Sequence, residues 1–344
     1  MVNKLYHCLH YVLLSKRNEM LAAVISLIGQ VKLWLNSTAL ERCIIFSNLF
    51  STGEVSFTLG FCVLNFVFSL VATLGNFVVI HALMKASTIP VNVKKMFLSQ
   101  AFSDLAVGLL PQAMAAIIRA VILKMVSSGE NLASFCPTVL SVHYYFASLL
   151  STASFLNVIV IAVDRLLAVS LHLRYQELIT PKRVTKVLLF VWLTSCIIAS
   201  MFIFLPKGNE KVAVAILLVG YVLTTVAYVR IYKVVKYHQN QIYIQNQLQN
   251  AQTREALQQR KSAYNALFVY LVFLACYFPA IPSKILYLTN TSDISFCAVH
   301  YASGFLVFLN SSLNPLAYCW RYREIRQIVK RTIKQLFHIN GNMT

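Results

Sequence analysis

MFLSQAFSDLAVGLLPQAMAAII, residues 96–118, holds one charged side chain, Asp104, in a run otherwise apolar enough and long enough to cross a bilayer. A spanning helix needs about 20 predominantly apolar residues. Six further runs meet or nearly meet that length with no Asp, Glu, Lys or Arg: residues 57–84, 137–163, 187–206, 212–229, 262–283 and 294–320. The pattern predicts an all-α membrane protein, a bundle of seven transmembrane helices. A carboxylate at bilayer depth is costly on every scale. Asp104 is therefore expected to face the bundle interior and to serve a purpose there.

With 58% hydrophobic and 12% charged residues among 344, the chain has about half the charged share of an average soluble domain. The formal net charge of +19 would suggest nucleic acid in a soluble protein, but its distribution points to topology instead. Twenty Lys and Arg residues fall on one side of the spans, among them Lys94, Arg165, Arg183, Arg230, Arg260, Arg326 and Lys334. The loops and helix ends of the other side hold five, Arg119, Lys124, Lys207, Lys211 and Lys284. The positive-inside rule then puts the N-terminus outside and the C-terminus in the cytoplasm, with the basic face attracted to anionic inner-leaflet lipid. No nucleic-acid partner is expected.

The expected organisation is an extracellular segment over residues 1–55, the seven-helix domain over 56–320, and an amphipathic cytoplasmic helix with a short tail over 321–344. Residues 20–31 form a short apolar run behind Lys16 and Arg17, the composition either of a signal-like segment or of an interfacial or core-packed helix. Asn36 and Asn290 each begin a glycosylation sequon on the outer side. The outer connection 206–211 is too short to form a lid. After Trp320, Ile325, Ile328, Val329, Ile333 and Phe337 share one helical face against Arg and Lys, the pattern of an eighth helix on the inner leaflet. Of the eight cysteines, Cys62, Cys196, Cys276 and Cys319 lie inside apolar spans, while Cys43, Cys136 and Cys297 fall at the outer side. Three is an odd number, so at least one of these pairs elsewhere or stays free.

Short motifs now recur in order along the spans. Gly75-Asn76 with Val79 is followed by Leu98, Ala101, Asp104 and Leu105. Asp164-Arg165 ends the third span, Trp192 marks the fourth, and Tyr228 with Ile231 the fifth. Phe273, Cys276 and Pro279 mark the sixth, and Asn314-Pro315-Leu316-Ala317-Tyr318 closes the seventh. On these residues the chain resembles a rhodopsin-like, class A G-protein-coupled receptor over residues 57–337, with a pattern nearest the melanocortin and adenosine branch. The resemblance implies a non-enzymatic receptor at the plasma membrane that binds an extracellular small molecule or peptide, activates a heterotrimeric G protein by movement of helix six, and meets arrestin and membrane lipids.

It also implies residue roles. Asp164, Arg165, Tyr228, Asn314, Pro315 and Tyr318 would form the G-protein switch, with Asp164 holding the Arg165 guanidinium at rest. Phe273, Tyr277 and Pro279 would transmit the signal. Asn76, Asp104, Ser154, Asn310, Ser311 and Asn314 would build the polar pocket that holds an allosteric sodium ion in many such receptors, Ser154 lying about 16 Å up helix three from Arg165. A plain hydrogen-bonded network without an ion is the alternative. No other cofactor is expected. Pro279 and Pro315 would free the carbonyls of Ala275 and Ser311. The melanocortin likeness implies a tie between Cys43 and Cys297 that leaves Cys136 unpaired, against three separate thiols.

Several positions depart from the family. Tyr277 stands in place of Trp, Leu166 in place of Tyr after Asp164-Arg165, Gly220 in place of the fifth-helix proline, and Gln259 in place of the acid that often locks the Arg. Tyr277 and Leu166 leave open a receptor-like protein that no longer couples. A transporter would show ionisable residues on several spans or an internal repeat, and neither is seen. Ala147 at the amine-binding position argues against a biogenic amine, and Phe308 excludes a retinal Schiff base. Arg119 and Lys284 over Tyr144, Ala147, Tyr277 and Phe308 would suit an anionic ligand with an apolar body; alternatively, these cations reach for lipid head groups.

Overall fold

The computed structural model describes residues 55–130, 136–171, 174–204, 206–245, 270–288 and 294–339. The apolar run 20–31, Asn36, Cys43, Gln259 and Asn290 lie outside the described residues, as does the side chain of Cys297. The helices are Val55–Lys85, Val91–Ser127 with a π turn at Gly108–Gln112, Cys136–Leu171, Pro181–Phe204, Pro206–Gln245, residues 270–277 continued by Ala280–Leu288, Ile294–Arg321 and Arg323–Ile339. A short helix, Tyr175–Leu178, joins the third span to the fourth. There is no strand among the described residues.

Five of these helices are long and apolar enough to cross a membrane. The sixth is described only from Tyr270 onward. The seventh carries Asn310, Ser311, Ser312 and Asn314 along its length. The spans close into a ring in which first meets second, fourth meets fifth, fifth meets sixth, sixth meets seventh and seventh meets first. The third lies inside it, touching the second, fourth, fifth and seventh.

The ring is built for an apolar solvent. Leu74, Phe77, Phe190, Leu193 and Val222 are exposed, while Asn65, Ser69, Asn76, Asp104, Ser154 and Asn157 are buried. Lipid is as apolar as leucine, so the bundle is held by close packing and interhelical hydrogen bonds rather than by burial of greasy side chains. Gly108 shows the packing: a Cβ there would stand 2.9 Å from both the Ala72 Cβ and the Thr73 backbone nitrogen. Trp192 shows the bonding, its indole N–H donating to Ser99 Oγ at 3.1 Å while Ser99 donates to Asn157 at 3.1 Å, which ties three spans.

Two expectations are modified, and one feature is new. The connection 206–211 is not a loop but the start of the fifth helix, with Leu205 alone between it and Phe204; Pro206 suits a first helical position, where no N–H is needed. Pro111, which was not singled out in the sequence, sits in the π turn of the second span, where Ser69 Oγ donates to the Gly108 carbonyl at 3.0 Å. Pro315 does not interrupt the seventh helix, which runs unbroken from Ile294 to Arg321. The carbonyl it frees, that of Ser311, accepts instead from Asn76 Nδ2 of the first span at 2.9 Å.

The tail helix is anchored at its start. Ile325 is wholly buried against the cluster of Val79, Leu83 and Phe97. Glu324 accepts from the backbone N–H of Ser87 at 2.8 Å, from that of Thr88, and from both hydroxyls. These donors, that of the Thr88 hydroxyl first, hold its carboxyl below the usual range. The tie is thus complete at neutral pH and is lost as pH falls through the depressed value. Glu324→Gln should speed amide exchange at Ser87 and Thr88 at pH 7 with the bundle unchanged. Equal exchange in both proteins would show that the acid does not anchor the helix.

Candidate functional site

One end of the bundle opens on a cavity of about 210 Å³. Arg119, Tyr144, Ala147, Tyr277, Lys284 and Phe308, the six residues expected around a ligand, all line it. Helical period places them there: Tyr144 and Ala147 are three apart on the third span, and Tyr277 and Lys284 are seven apart on the sixth. Further polar groups that were not foreseen line the same space, among them Asn65, His143, His300 and Tyr301. The Arg119 guanidinium lies 5.4 Å over the Tyr301 ring and donates to the Ala115 carbonyl at 2.9 Å. Asn65 Oδ1 and His143 Nδ1 are buried and make no hydrogen bond. No Asp or Glu lines the cavity among the described residues.

The cavity floor is aromatic. Phe155 and Tyr277 line it, each about 2% exposed. Phe155 stacks on Phe273 with centroids 5.4 Å apart and meets Tyr277 at 5.0 Å, and Phe273 meets Tyr277 at 4.8 Å. Phe155 had no signal in the sequence beyond being a core position. What admits it is Gly220 on the fifth span, where a Cβ would stand 2.4 Å from the Phe155 ring. The missing proline therefore does more than remove a bend; its glycine makes room for an aromatic ring between three helices.

Mid-bundle, Asp104 is wholly buried. Its Oδ1 accepts from Ser154 Oγ and Ser311 Oγ, each at 2.8 Å. Its Oδ2 accepts from Asn314 Nδ2 at 2.6 Å and from Gln100 Nε2 at 2.9 Å. Of the six residues expected to build this pocket, Asp104, Ser154, Ser311 and Asn314 meet directly. Asn76 instead serves the Ala72 and Ser311 carbonyls. Asn310 faces a separate space lined by Tyr228, Phe273 and Asn314, its amide nitrogen without a hydrogen bond. Gln100 was missed, although its place four residues before Asp104 on one helix put it on the same face. Two hydroxyl and two amide donors meet this carboxylate.

At the basic end, Arg165 Nε donates to Asp164 Oδ2 at 3.0 Å, with a second contact from Nη2 to the same oxygen. It is the one salt bridge among the described residues. Asp164 Oδ1 accepts from the Tyr175 hydroxyl at 2.6 Å, so the acid is saturated from two elements. Partial burial and this bond push the Tyr175 hydroxyl up to about 12. The other switch residues stand apart. Tyr228 stacks on Tyr270 with centroids 4.5 Å apart, and Tyr318 packs on Phe97 at 5.1 Å.

A buried acid in a seven-span bundle, an Asp-Arg pair at one end and an aromatic-floored cavity at the other agree with what similar chains are called. Residues 75–213 match the family described as 7 transmembrane receptor (rhodopsin family). Over that stretch the chain resembles that family. It is 29% identical to the rat (Rattus norvegicus) histamine H2 receptor over 212 residues, 55% of this chain and 57% of that one. It is 26% identical to the octopamine receptor beta-1R of Drosophila melanogaster over 336 residues, 82% and 61%, and 25% identical to the melanocortin receptor 4 of Danio rerio over 296 residues, 83% and 84%. The match thus spans well under two thirds of the first two relatives.

The likeness agrees with a multi-pass membrane bundle, and the relatives, all named as receptors, include the melanocortin likeness read from the sequence. The amine receptors among its relatives were not expected, and Ala147 leaves the third span without an acid at that point of the cavity. One expectation is overturned. Cys136 is disulfide-bonded rather than unpaired. Its sulfur partner lies outside the described residues. Cys62, Cys196, Cys276 and Cys319 are free thiols. Cys136 begins the third span and is wholly buried, so the bond pins that span's N-terminal end.

Proposed function

We propose that this protein is a plasma-membrane receptor with its N-terminus outside, which binds an extracellular ligand in the cavity above Tyr277 and activates a heterotrimeric G protein through the Arg165 end. What supports the reading is the continuity of contact between those two places. Phe155 and Tyr277 line the cavity and pack on Phe273, which in turn borders the space holding Tyr228 and Asn314. A ligand that tilts the floor would move the sixth span, whose helix is already broken at Phe278 and Pro279. Release of Arg165 from Asp164 would then open the cytoplasmic face. Arrestin and inner-leaflet lipid would meet the same face.

The ligand that the lining favours is an anion with an apolar or aromatic body. Arg119 and Lys284 supply charge, His143 and His300 supply further polar contacts, and Phe155, Phe305 and Phe308 supply the wall. A cationic ligand of the kind named for the amine relatives would meet no acid among the described lining residues. The test is a screen of acidic, neutral and cationic libraries with a promiscuous G-protein reporter, on wild type and on Lys284→Ala and Arg119→Ala. An acidic hit should lose roughly tenfold or more in potency on at least one variant, since a hydrogen bond to a charged group is worth about 1.5–3 kcal/mol. A cationic best hit, or an acidic one that loses nothing on either variant, would refute the anionic reading without touching the receptor assignment.

A further inference from the structure

We propose that the Gln100 amide is a built-in substitute for the cation that the family resemblance would place beside Asp104, so that sodium does not regulate this receptor. The amide nitrogen bridges two groups at hydrogen-bond distance, Asp104 Oδ2 at 2.9 Å and Ser154 Oγ at 2.8 Å. Those are the acid and the hydroxyl that an ion at this site would join. Ser154 Oγ accepts from Gln100 and passes its own proton toward Asp104 Oδ1 at 2.8 Å, so the three side chains form a closed ring of donors and acceptors. Asn314 and Ser311 complete the carboxylate from the seventh span.

The donor set does not suit a hard cation, which takes oxygen ligands. Two of the four groups on the carboxylate are amide nitrogens, and the oxygen of Ser154 is engaged by one of them. Gln100 is 1% exposed and its Oε1 makes no hydrogen bond. Turning the amide over would set that oxygen against the carboxylate, two acceptors facing each other. Moving the side chain aside would strip a donor from a wholly buried acid and leave the amide with no water to receive it. An ion at this place could leave when the bundle changes shape; a covalently attached amide cannot. The resting bundle is then held at Asp104 by its own side chains, at any salt composition.

Thermal unfolding of the purified full-length receptor in detergent, without ligand and followed by tryptophan fluorescence, reads this out. The probe is sodium chloride against potassium chloride and N-methyl-D-glucamine chloride at one ionic strength. The wild type should show no sodium-specific shift. Gln100→Leu, which empties the place of the amide while keeping its volume, should gain a sodium-specific rise in Tm of about 2–4 °C where sodium stands about tenfold above its dissociation constant. Adding Asp104→Asn to it should remove the rise. Gln100→Met offers the same emptied site should the leucine variant fail to fold. A sodium-specific rise in the wild type overturns the proposal. If Gln100→Leu then abolishes that rise, the amide oxygen is a ligand of the ion rather than its replacement. Flat profiles in both folded Gln100 variants overturn it equally, since something other than the amide would then exclude sodium.

Discussion

Arg165→Ala is expected to reduce G-protein activation to the level of untransfected cells while leaving surface expression and ligand affinity close to wild type. The guanidinium bonds Asp164, at the end of the third span remote from the cavity. Its removal deletes a contact for the partner without disturbing the ligand walls. Asp164→Asn should act in the opposite direction and raise basal signalling, because the amide no longer holds the cation. Tyr175→Phe removes the second bond on Asp164, at 2.6 Å. It should give a smaller rise, bounded by the ~1.5–3 kcal/mol of a hydrogen bond to a charged group. These variants are read together in a ligand-free reporter assay normalised to surface expression. Full signalling by Arg165→Ala would reduce that residue to a side chain reaching for lipid phosphates.

Gly220→Ala sets two effects of opposite sign against each other. In a solvent-exposed helix the change from glycine to alanine gains about 1 kcal/mol. Here the new Cβ would stand 2.4 Å from the Phe155 ring and 2.8 Å from Ile159 Cδ1, and the ring is confined by Phe273, Tyr277 and Tyr221. Overpacking a filled core costs about 1–3 kcal/mol, so the crowding should win and the melting temperature should fall. Gly220→Val should fall further. Pairing Gly220→Ala with Phe155→Leu should recover part of the loss, with a coupling of about 0.5–3 kcal/mol expected for residues in contact. A Gly220→Ala protein more stable than wild type would mean that the ring has room to yield.

The consequence reaches function because Phe155 joins the cavity floor to the sixth span. In the sequence, Gly220 reads as a proline lost from the fifth helix, since nothing in one chain records which ring of another helix fills the space. Gln100 is a similar case. Its spacing from Asp104 was legible, but a glutamine one turn from an acid reads as ordinary surface chemistry until the third span brings Ser154 within 2.8 Å. Tyr175 carries no motif signal for contact with Asp164 either, because the short helix Tyr175–Leu178 has to fold back before the two meet.

Other parts were open to reading from one dimension. The absence of charge from long apolar runs is a property of composition, and hydrocarbon demands it of any spanning helix whatever its neighbours. The solitary Asp104, the pair Asp164-Arg165 and the prolines Pro279 and Pro315 are likewise visible in the chain itself. So too were the six side chains that line the cavity, which followed once the family pattern put spans in order. Where the freed Ser311 carbonyl goes, which three of the expected polar residues reach Asp104, and the bonding of Cys136 were decided only in three dimensions. The reason is physical: a helix satisfies its backbone locally, so its existence is written in a contiguous segment. The partners of its buried side chains lie on other segments 50–235 residues away, and they are selected by packing that no single segment contains.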